Sequence, residues 1–111
     1  MTEDTDDRLV LCTCPDQATA ARIAERLVGD RLAACVNLLP GLTSIYRWQG
    51  EIQRDTEVLL LIKTVAGRLP ALTDTLRGLH PYAVPEIIAL PITAGLPDYL
   101  TWMRTCTQPD N

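Results

Sequence analysis

Apolar residues along this chain switch between the spacing of a strand and the spacing of a helix. Small and apolar residues alternate from Arg8 to Cys14 and stop at Pro15, which predicts a first strand. Between Asp16, a typical N-cap residue, and Gly29, apolar residues recur every three or four positions. The second pattern predicts an amphipathic helix that follows the first strand directly.

The next two apolar runs predict a long hairpin. The first extends from Ala33 to Trp48, with a bulge or kink expected at Pro40-Gly41, and the chain turns at Gln49-Gly50. The second covers Glu57 to Lys63, and its continuously apolar centre predicts burial on both faces. Arms of about 12 residues, at roughly 3.3 Å per residue, would give a hairpin about 40 Å long, which a domain of this size cannot cover by itself. We therefore expect a homo-oligomer in which neighbouring subunits cover the hairpins.

A helix, a strand and a short helix complete the predicted order. Leucines at three- and four-residue steps predict a helix over Arg68 to Leu79, and a strand is expected over Glu86 to Thr93. A terminal helix is then predicted over Asp98 to Thr105. The order βαββαβ plus a final helix predicts an α+β, ferredoxin-like sandwich with a long hairpin between its second and third strands. Right-handed crossovers would place both long helices on one face of the sheet.

Length and charge limit the possible partners. The 111 residues suit one domain, which we place at 8–106, with a C-terminal tail at 107–111. Four acids before the first basic residue predict a disordered acidic tail over 1–7, and they carry the formal net charge of −4. Because the rest of the chain is near neutral and has no basic cluster, we expect no nucleic-acid or membrane partner.

Apolar runs and cysteines indicate the compartment. Even the longest uninterrupted apolar runs, such as Val58 to Ile62, are far shorter than the roughly 20 residues of a membrane span, and the N-terminus lacks a signal-peptide pattern. The four cysteines lie mostly inside apolar segments and are too sparse for a disulfide scaffold. We expect a cytoplasmic protein with reduced thiols.

The only histidine lies in a stiff segment. His80 and Val84 each precede a proline, which pushes both residues out of helical geometry and holds the segment extended. The segment connects a predicted helix to a predicted strand, a common place for a binding site. His80 is therefore the first candidate for chemistry, and the alternative is a rigid connector with a solvated histidine.

Two cysteines could complete a metal site with this histidine. Cys12 and Cys14 lie two residues apart on the first predicted strand, so their sulfurs face the same side of the sheet. Thiolates and an imidazole suit Cu(I), Cu(II) or Zn(II) and do not suit Mg²⁺ or Ca²⁺. The alternative is that both cysteines are small core residues. We expect Cys35 to pack in the core and Cys106 to be an incidental thiol.

Nearly the whole chain, from Arg8 to Trp102, resembles the CutA family of divalent-cation tolerance proteins. The matching segments, in chain order, are Leu11-Cys-Thr-Cys-Pro-Asp16, Leu32-Ala-Ala-Cys-Val-Asn37, Pro40-Gly-Leu-Thr-Ser-Ile-Tyr-Arg-Trp48, Gly50-Glu51, Leu61-Ile-Lys-Thr64, His80-Pro-Tyr82, Pro85-Glu-Ile87 and Tyr99-Leu-Thr-Trp102. The resemblance implies a ferredoxin-like fold, a tight homotrimer like that of the PII signalling proteins and a cytoplasmic bacterial setting. It also implies a role in tolerance of divalent metals, copper above all.

The resemblance also implies copper ligands. In some family members, copper is assigned to a cysteine at the end of the first strand and to two adjacent histidines before the Pro-Tyr pair. The resemblance therefore implies Cys12 and His80 as copper ligands in this chain. This chain departs from the pattern at Leu79, in place of the first histidine, and at Ala83, where the family often has Glu or Gln. Cys14 is a plausible substitute for the missing histidine.

The class of function that competes with metal binding is catalysis. Hydrolysis would need a nucleophile, a base and an orienting acid, and only Cys12, His80 and Glu86 could supply them. The sequence has no nucleophile signature, no phosphate-binding glycine loop, no His-Glu-x-x-His and no Cys-x-x-Cys. We expect a non-catalytic protein that binds or buffers copper or another divalent cation. The alternative is a trimeric PII-like sensor or scaffold that binds a small anion or a protein partner in clefts between subunits.

Overall fold

A computed structural model describes residues 5–109, and the predicted order of elements is confirmed. The strands are β1 (Asp7–Cys14), β2 (Cys35–Trp48), β3 (Glu51–Val65) and β4 (Ile88–Pro91), and the helices are α1 (Gln17–Gly29), α2 (Leu69–Leu79) and α3 (Pro97–Cys106). A single 3₁₀ turn, Ala66–Arg68, leads into α2. Residues 1–4 of the predicted N-terminal tail and residues 110–111 of the predicted C-terminal tail lie outside the described part of the chain.

The four strands form one antiparallel sheet in the order β2-β3-β1-β4. The hairpin turns at Gln49-Gly50 as predicted, and both residues have positive φ (50° and 80°), the geometry of the tight turn that matches strand twist. The interruption at Pro40-Gly41 is a bulge, because the pairing shifts register between Leu39 and Leu42. The predicted ferredoxin-like α+β architecture is therefore confirmed.

Two strand lengths differ from the prediction. β3 begins at Glu51 instead of Glu57, because its polar first half continues to pair with β2 up to the turn. β4 is shorter than the predicted strand over Glu86 to Thr93, since it pairs only with Arg8–Leu11 of β1. Pro91, at the end of β4, has no N–H to donate to that ladder, although the Ile92 N–H still donates to the Asp7 carbonyl at 3.0 Å.

One face of the sheet packs against α1 and α2 to form the core. The buried cluster joins the inward residues of the strands to the apolar stripes of the helices: Val10, Cys12, Cys14, Val58, Leu60 and Ile62 meet Ala20, Ile23, Leu27, Leu72 and Leu76. The Asp16 side chain accepts from the Thr19 N–H at 2.7 Å, which confirms the predicted N-cap of α1. This face holds both cysteines of the predicted site.

The other face of the sheet is only partly covered within one chain, so the chain alone does not provide the predicted burial of β3 on both sides. Val58, Leu60 and Ile62 are buried beneath the helices, whereas Leu59 and Leu61 on the opposite face are half-buried. The reason is that α1 and α2 both lie on one face, and only the short α3 lies on the other. The side-chain alternation of a strand then separates the two sets.

The terminal segments are anchored closer to the chain ends than predicted. Asp7, expected in the acidic tail, begins β1, is 1% exposed and bonds to Arg104 of α3 at 2.6 and 2.9 Å. Thr107, expected in the C-terminal tail, is also buried, and its hydroxyl donates to the Met103 carbonyl at 3.0 Å. The Asp7–Arg104 contact joins α3 to β1, whereas the Thr107 bond lies within the last turn of α3. Within the described residues, no helix is both long and apolar enough to cross a membrane.

Candidate metal centre

The structure brings the three predicted ligands together. Cys12, Cys14 and His80 each present one ligand atom, and the three atoms lie within 4.8 Å of one another. Both cysteines are 0% exposed, and His80 is 7% exposed. As predicted, strand alternation places both sulfurs on the same side of the sheet, and in the structure α1 and α2 cover that side.

Local backbone geometry directs His80 onto this strand. His80 is the C-cap of α2, and its N–H still bonds to the Leu76 carbonyl at 2.9 Å. Its own backbone is already extended (φ −79°, ψ 135°), as expected for a residue before a proline. The helix therefore ends abruptly, and the ring packs back against β1. The alternative of a solvated histidine is wrong.

Both ring nitrogens of His80 are engaged. The Tyr82 N–H donates to Nδ1 at 3.1 Å, so Nδ1 carries no proton. Nε2 lies 2.8 Å from the Thr13 carbonyl oxygen, which can only accept, so Nε2 carries the proton. The ring is therefore held as the neutral Nε2–H tautomer. The Cys14 sulfur lies 3.8 Å from the same nitrogen.

The two thiols affect each other's ionisation. A hydrogen bond to Cys14, followed by burial, raises the pKa of the Cys12 thiol. The same hydrogen bond lowers the pKa of the Cys14 thiol, because the Cys12 S–H donates to the Cys14 thiolate, while burial opposes this effect. The pair therefore loses its first proton at Cys14.

The donor set fits a soft cation. A trigonal site with metal–ligand distances of about 2.3 Å has ligand atoms roughly 4 Å apart, close to the separations here. Copper(I) prefers thiolates, and Cys12 and Cys14 supply two. His80 would have to move its proton from Nε2 to Nδ1, which removes the acceptor of the Tyr82 N–H. The thiols are therefore the principal ligands and the imidazole the secondary one.

Among residues 5–109, no side chain outside this cluster joins the ligand group. Leu79, in place of a family histidine, packs against the core cluster, and Ala83 is exposed. Cys35 is half-buried on the opposite sheet face, not in the core cluster as predicted, and its sulfur lies 3.8 Å from the Lys63 ammonium nitrogen. Cys106 is half-buried near the end of α3.

A cleft of about 600 Å³ lies near this centre, between the hairpin and the loop after α2. Its lining includes Tyr46, Trp48, Glu57 and Tyr82. The Tyr82 hydroxyl donates to Oε2 of Glu57 at 2.7 Å. Burial and this hydrogen bond raise the pKa of Tyr82. No local pattern in the sequence indicates this pairing, because the two residues are 25 positions apart.

The fold and the buried thiol–imidazole cluster define a ferredoxin-like α+β protein with a candidate soft-metal centre. The CutA1 divalent ion tolerance protein family matches residues 8–106, so the chain belongs to this family. The divalent-cation tolerance protein CutA of Thermus thermophilus is 54% identical over 101 residues, which cover 91% of this chain and 98% of that protein. These findings confirm the family resemblance inferred from the sequence motifs.

Two further relatives extend the comparison. The human protein CutA is 53% identical over 96 residues, covering 86% of this chain but 54% of that protein, so this chain spans about half its length. The crystal structure of CutA from Xylella fastidiosa has a TM-score of 0.91 at 49% identity and covers 94% of this chain and 100% of that chain. The fold is therefore shared with this bacterial family member.

Proposed function

We propose that this protein contributes to divalent-cation tolerance by binding copper as Cu(I) at Cys12, Cys14 and His80. The observation that carries the proposal is the convergence of two thiols and an imidazole within 4.8 Å in a buried site. Tolerance of divalent cations is the property after which the family is named. The chemistry of the donor set narrows that general role to a soft metal.

The burial of the three ligands also favours a soft metal over a hard, hydrated cation. A hard cation such as Mg²⁺ retains several waters and requires oxygen ligands, whereas this cluster contains none beyond the Thr13 carbonyl that His80 already occupies. A thiolate pair accepts Cu(I) with few ligands and without bound water. The competing interpretation is that Cys12 and Cys14 only fill the core, since both belong to the main apolar cluster.

The proposed role does not include catalysis. A general base for a cysteine nucleophile needs a ring nitrogen with a free lone pair. Nδ1 of His80 accepts from the Tyr82 N–H, and Nε2 donates to Thr13. A histidine engaged in this way orients the loop and contributes to metal binding, but it is not set up to take a proton from Cys14.

Competition against a coloured Cu(I) chelator tests the site in reduced, metal-free protein. We expect one Cu(I) per chain, with affinity falling strongly in Cys12→Ser and Cys14→Ser and less in His80→Asn. Cys106→Ser is the matched control, since it removes a thiol outside the cluster. Unchanged affinity in both Cys12→Ser and Cys14→Ser would leave core packing as the role of the pair.

We also propose that the protein is a homotrimer held together through its hairpins. The hairpin arms are 14 and 15 residues long, and most of their outer residues are exposed. Leu39, Ile88 and Leu90 lie on the sheet face away from α1 and α2, with 42–54% of each side chain exposed. An exposed apolar face of this kind marks an interface. Neighbouring subunits would cover it.

The thiol chemistry suggests the compartment. Cu(I) binding requires reduced cysteines, and reduced thiols persist in a reducing environment. We therefore propose a cytoplasmic location. Cell fractionation with an antibody against the protein tests this proposal, and recovery outside the cytoplasmic fraction would contradict it.

A further inference from the structure

A continuous series of contacts connects the candidate copper centre to the hairpin. Nε2 of His80 donates to the Thr13 carbonyl at 2.8 Å, and Nδ1 accepts from the Tyr82 N–H at 3.1 Å. The His80 and Tyr82 rings are also in contact, with centroids 4.7 Å apart. The Tyr82 hydroxyl then donates to Oε2 of Glu57 in β3 at 2.7 Å. A single residue, Tyr82, therefore links a metal ligand to the hairpin.

Glu57 lies at the base of the projecting part of the hairpin. β1 pairs with residues 58–65 of β3, whereas residues 51–57 extend beyond the end of β1 and pair with β2. Glu57 pairs with Leu42, the first paired residue after the bulge in β2. A bulge bends a pair of strands. The bond from Tyr82 to Glu57 therefore braces the hairpin at the point where it can change direction.

Burial makes the loss of this brace unfavourable. Glu57 is 6% exposed, and its Oε2 accepts from the Tyr82 hydroxyl. A buried carboxylate that loses a donor cannot readily replace it with water. The position of Tyr82 and the conformation of β3 at Glu57 are therefore coupled.

Coordination of a metal by His80 would change this series of contacts. The Cys14 sulfur lies 3.8 Å from Nε2, so Nε2 is the ring nitrogen that faces the thiols. A metal at Nε2 takes the lone pair of that nitrogen, so the single ring proton moves to Nδ1 and the ring stays neutral. Nε2 then no longer donates to Thr13, and two donors, Nδ1–H and the Tyr82 N–H, face each other. The backbone at Tyr82 has to move away from the ring.

We propose that occupancy of the metal centre controls the base of the hairpin through His80, Tyr82 and Glu57. Without metal, the His80 ring holds Tyr82 in place, and Tyr82 braces Glu57. Copper(I) at the centre displaces Tyr82, the brace opens and the base of the hairpin becomes more mobile. This coupling rests on the proposed copper site, and it transmits metal occupancy to the neighbouring subunits of the proposed trimer. It requires no exposed surface on the hairpin.

Copper affinity tests the coupling, because the linkage between two sites is reciprocal. If copper opens the brace, a protein without the brace binds copper more tightly. Tyr82→Phe retains the ring and the backbone N–H but removes the hydroxyl that bonds to Glu57. We expect its Cu(I) affinity to rise about threefold to tenfold in competition with a coloured chelator, because binding no longer has to break this hydrogen bond. Tyr46→Phe is the matched control with unchanged affinity, since it removes a hydroxyl that bonds to Asp55 within the hairpin.

Nuclear magnetic resonance of the reduced protein locates the change. His80 is the only histidine in the chain, so its ring signals in proton–nitrogen correlation spectra are unambiguous. We expect the ring proton on Nε2 without metal and on Nδ1 with Cu(I). The Tyr82 amide should then exchange with solvent about tenfold faster, because it loses its acceptor. Amides next to Glu57 should exchange about threefold faster with Cu(I) in the parent and in Tyr46→Phe, but should not respond to Cu(I) in Tyr82→Phe.

Three outcomes would overturn the coupling, and they separate it from the copper site itself. Cβ signals of Cys12 and Cys14 that do not shift with Cu(I) would overturn both the copper site and the coupling. Shifted cysteine signals with unchanged exchange next to Glu57 would overturn the coupling and leave the copper site. A Cu(I) affinity that falls or stays constant in Tyr82→Phe would show that the hydroxyl only stabilises the fold.

Discussion

His80 donates its Nε2 proton to the Thr13 carbonyl oxygen across 67 residues of sequence, at 2.8 Å. This bond joins the end of α2 to the central strand β1 and determines which nitrogen carries the proton. Because Nδ1 accepts from Tyr82, the same ring also shapes the loop that follows. The candidate metal centre and the nearby cleft, which Tyr82 lines, therefore depend on the same imidazole.

Loss of this imidazole should destabilise the metal-free protein. His80→Ala leaves the buried Thr13 carbonyl and the Tyr82 N–H without their partners, and we expect a decrease of about 1–3 kcal/mol in the free energy of unfolding. Chemical denaturation followed by circular dichroism measures it. Arg77→Ala, at an exposed position of the same helix, should change stability by less than about 0.5 kcal/mol. A His80→Ala protein as stable as this control would contradict the structural role.

Thiol reactivity should separate the four cysteines into two classes. Cys12 and Cys14 are 0% exposed, whereas Cys35 and Cys106 are half-buried. We expect pulse alkylation with mass spectrometry to label Cys35 and Cys106 first, because access limits reaction at the buried pair. Denaturant should make all four reactive. Native labelling of Cys12 at the rate of Cys106 would show that the β1 site opens readily.

The ion pair between Asp7 and Arg104 should show strong coupling. Asp7 is buried, and its carboxylate raises the pKa of Arg104 through hydrogen bonding and charge attraction. Arg104→Met leaves a buried carboxylate without its cation, so we expect a larger loss of thermal stability in the parent than in an Asp7→Asn background. Melting temperatures of the four proteins in this cycle measure the difference. Equal losses in both backgrounds would mean that the contact contributes nothing to holding α3.

The proposed assembly depends on the open face of the sheet. Leu90→Glu introduces a charge among the exposed apolar residues of that face, and we expect it to convert a trimer into smaller species. Light scattering coupled to size-exclusion chromatography gives the mass. Val28→Glu is the control, since Val28 is similarly exposed, at 43%, but lies on α1 on the opposite side of the sheet. A monomeric parent protein, or a trimer that tolerates Leu90→Glu, would refute the proposed interface.

Most of the fold was predictable because its signals are local. Proline and glycine mark the ends of β1 and α1, and the turn at Gln49-Gly50 lies where expected. The polar half of β3 was missed, since its strand geometry comes from pairing with β2 and not from its own apolar pattern. How far one chain covers the outer face of β3 was not predictable, because coverage depends on where α3 packs.

The sequence by itself determined the order of elements, the common face of Cys12 and Cys14, and the abrupt end of α2 before Pro81. Alternation, capping and the restrictions of proline act over a few residues, so they can be inferred without a structure. The tertiary structure decided the tautomer of His80 and the pairing of Tyr82 with Glu57. Both features depend on groups that are distant in sequence and that only the folded chain brings together. The residues around one group therefore do not indicate which group it will contact.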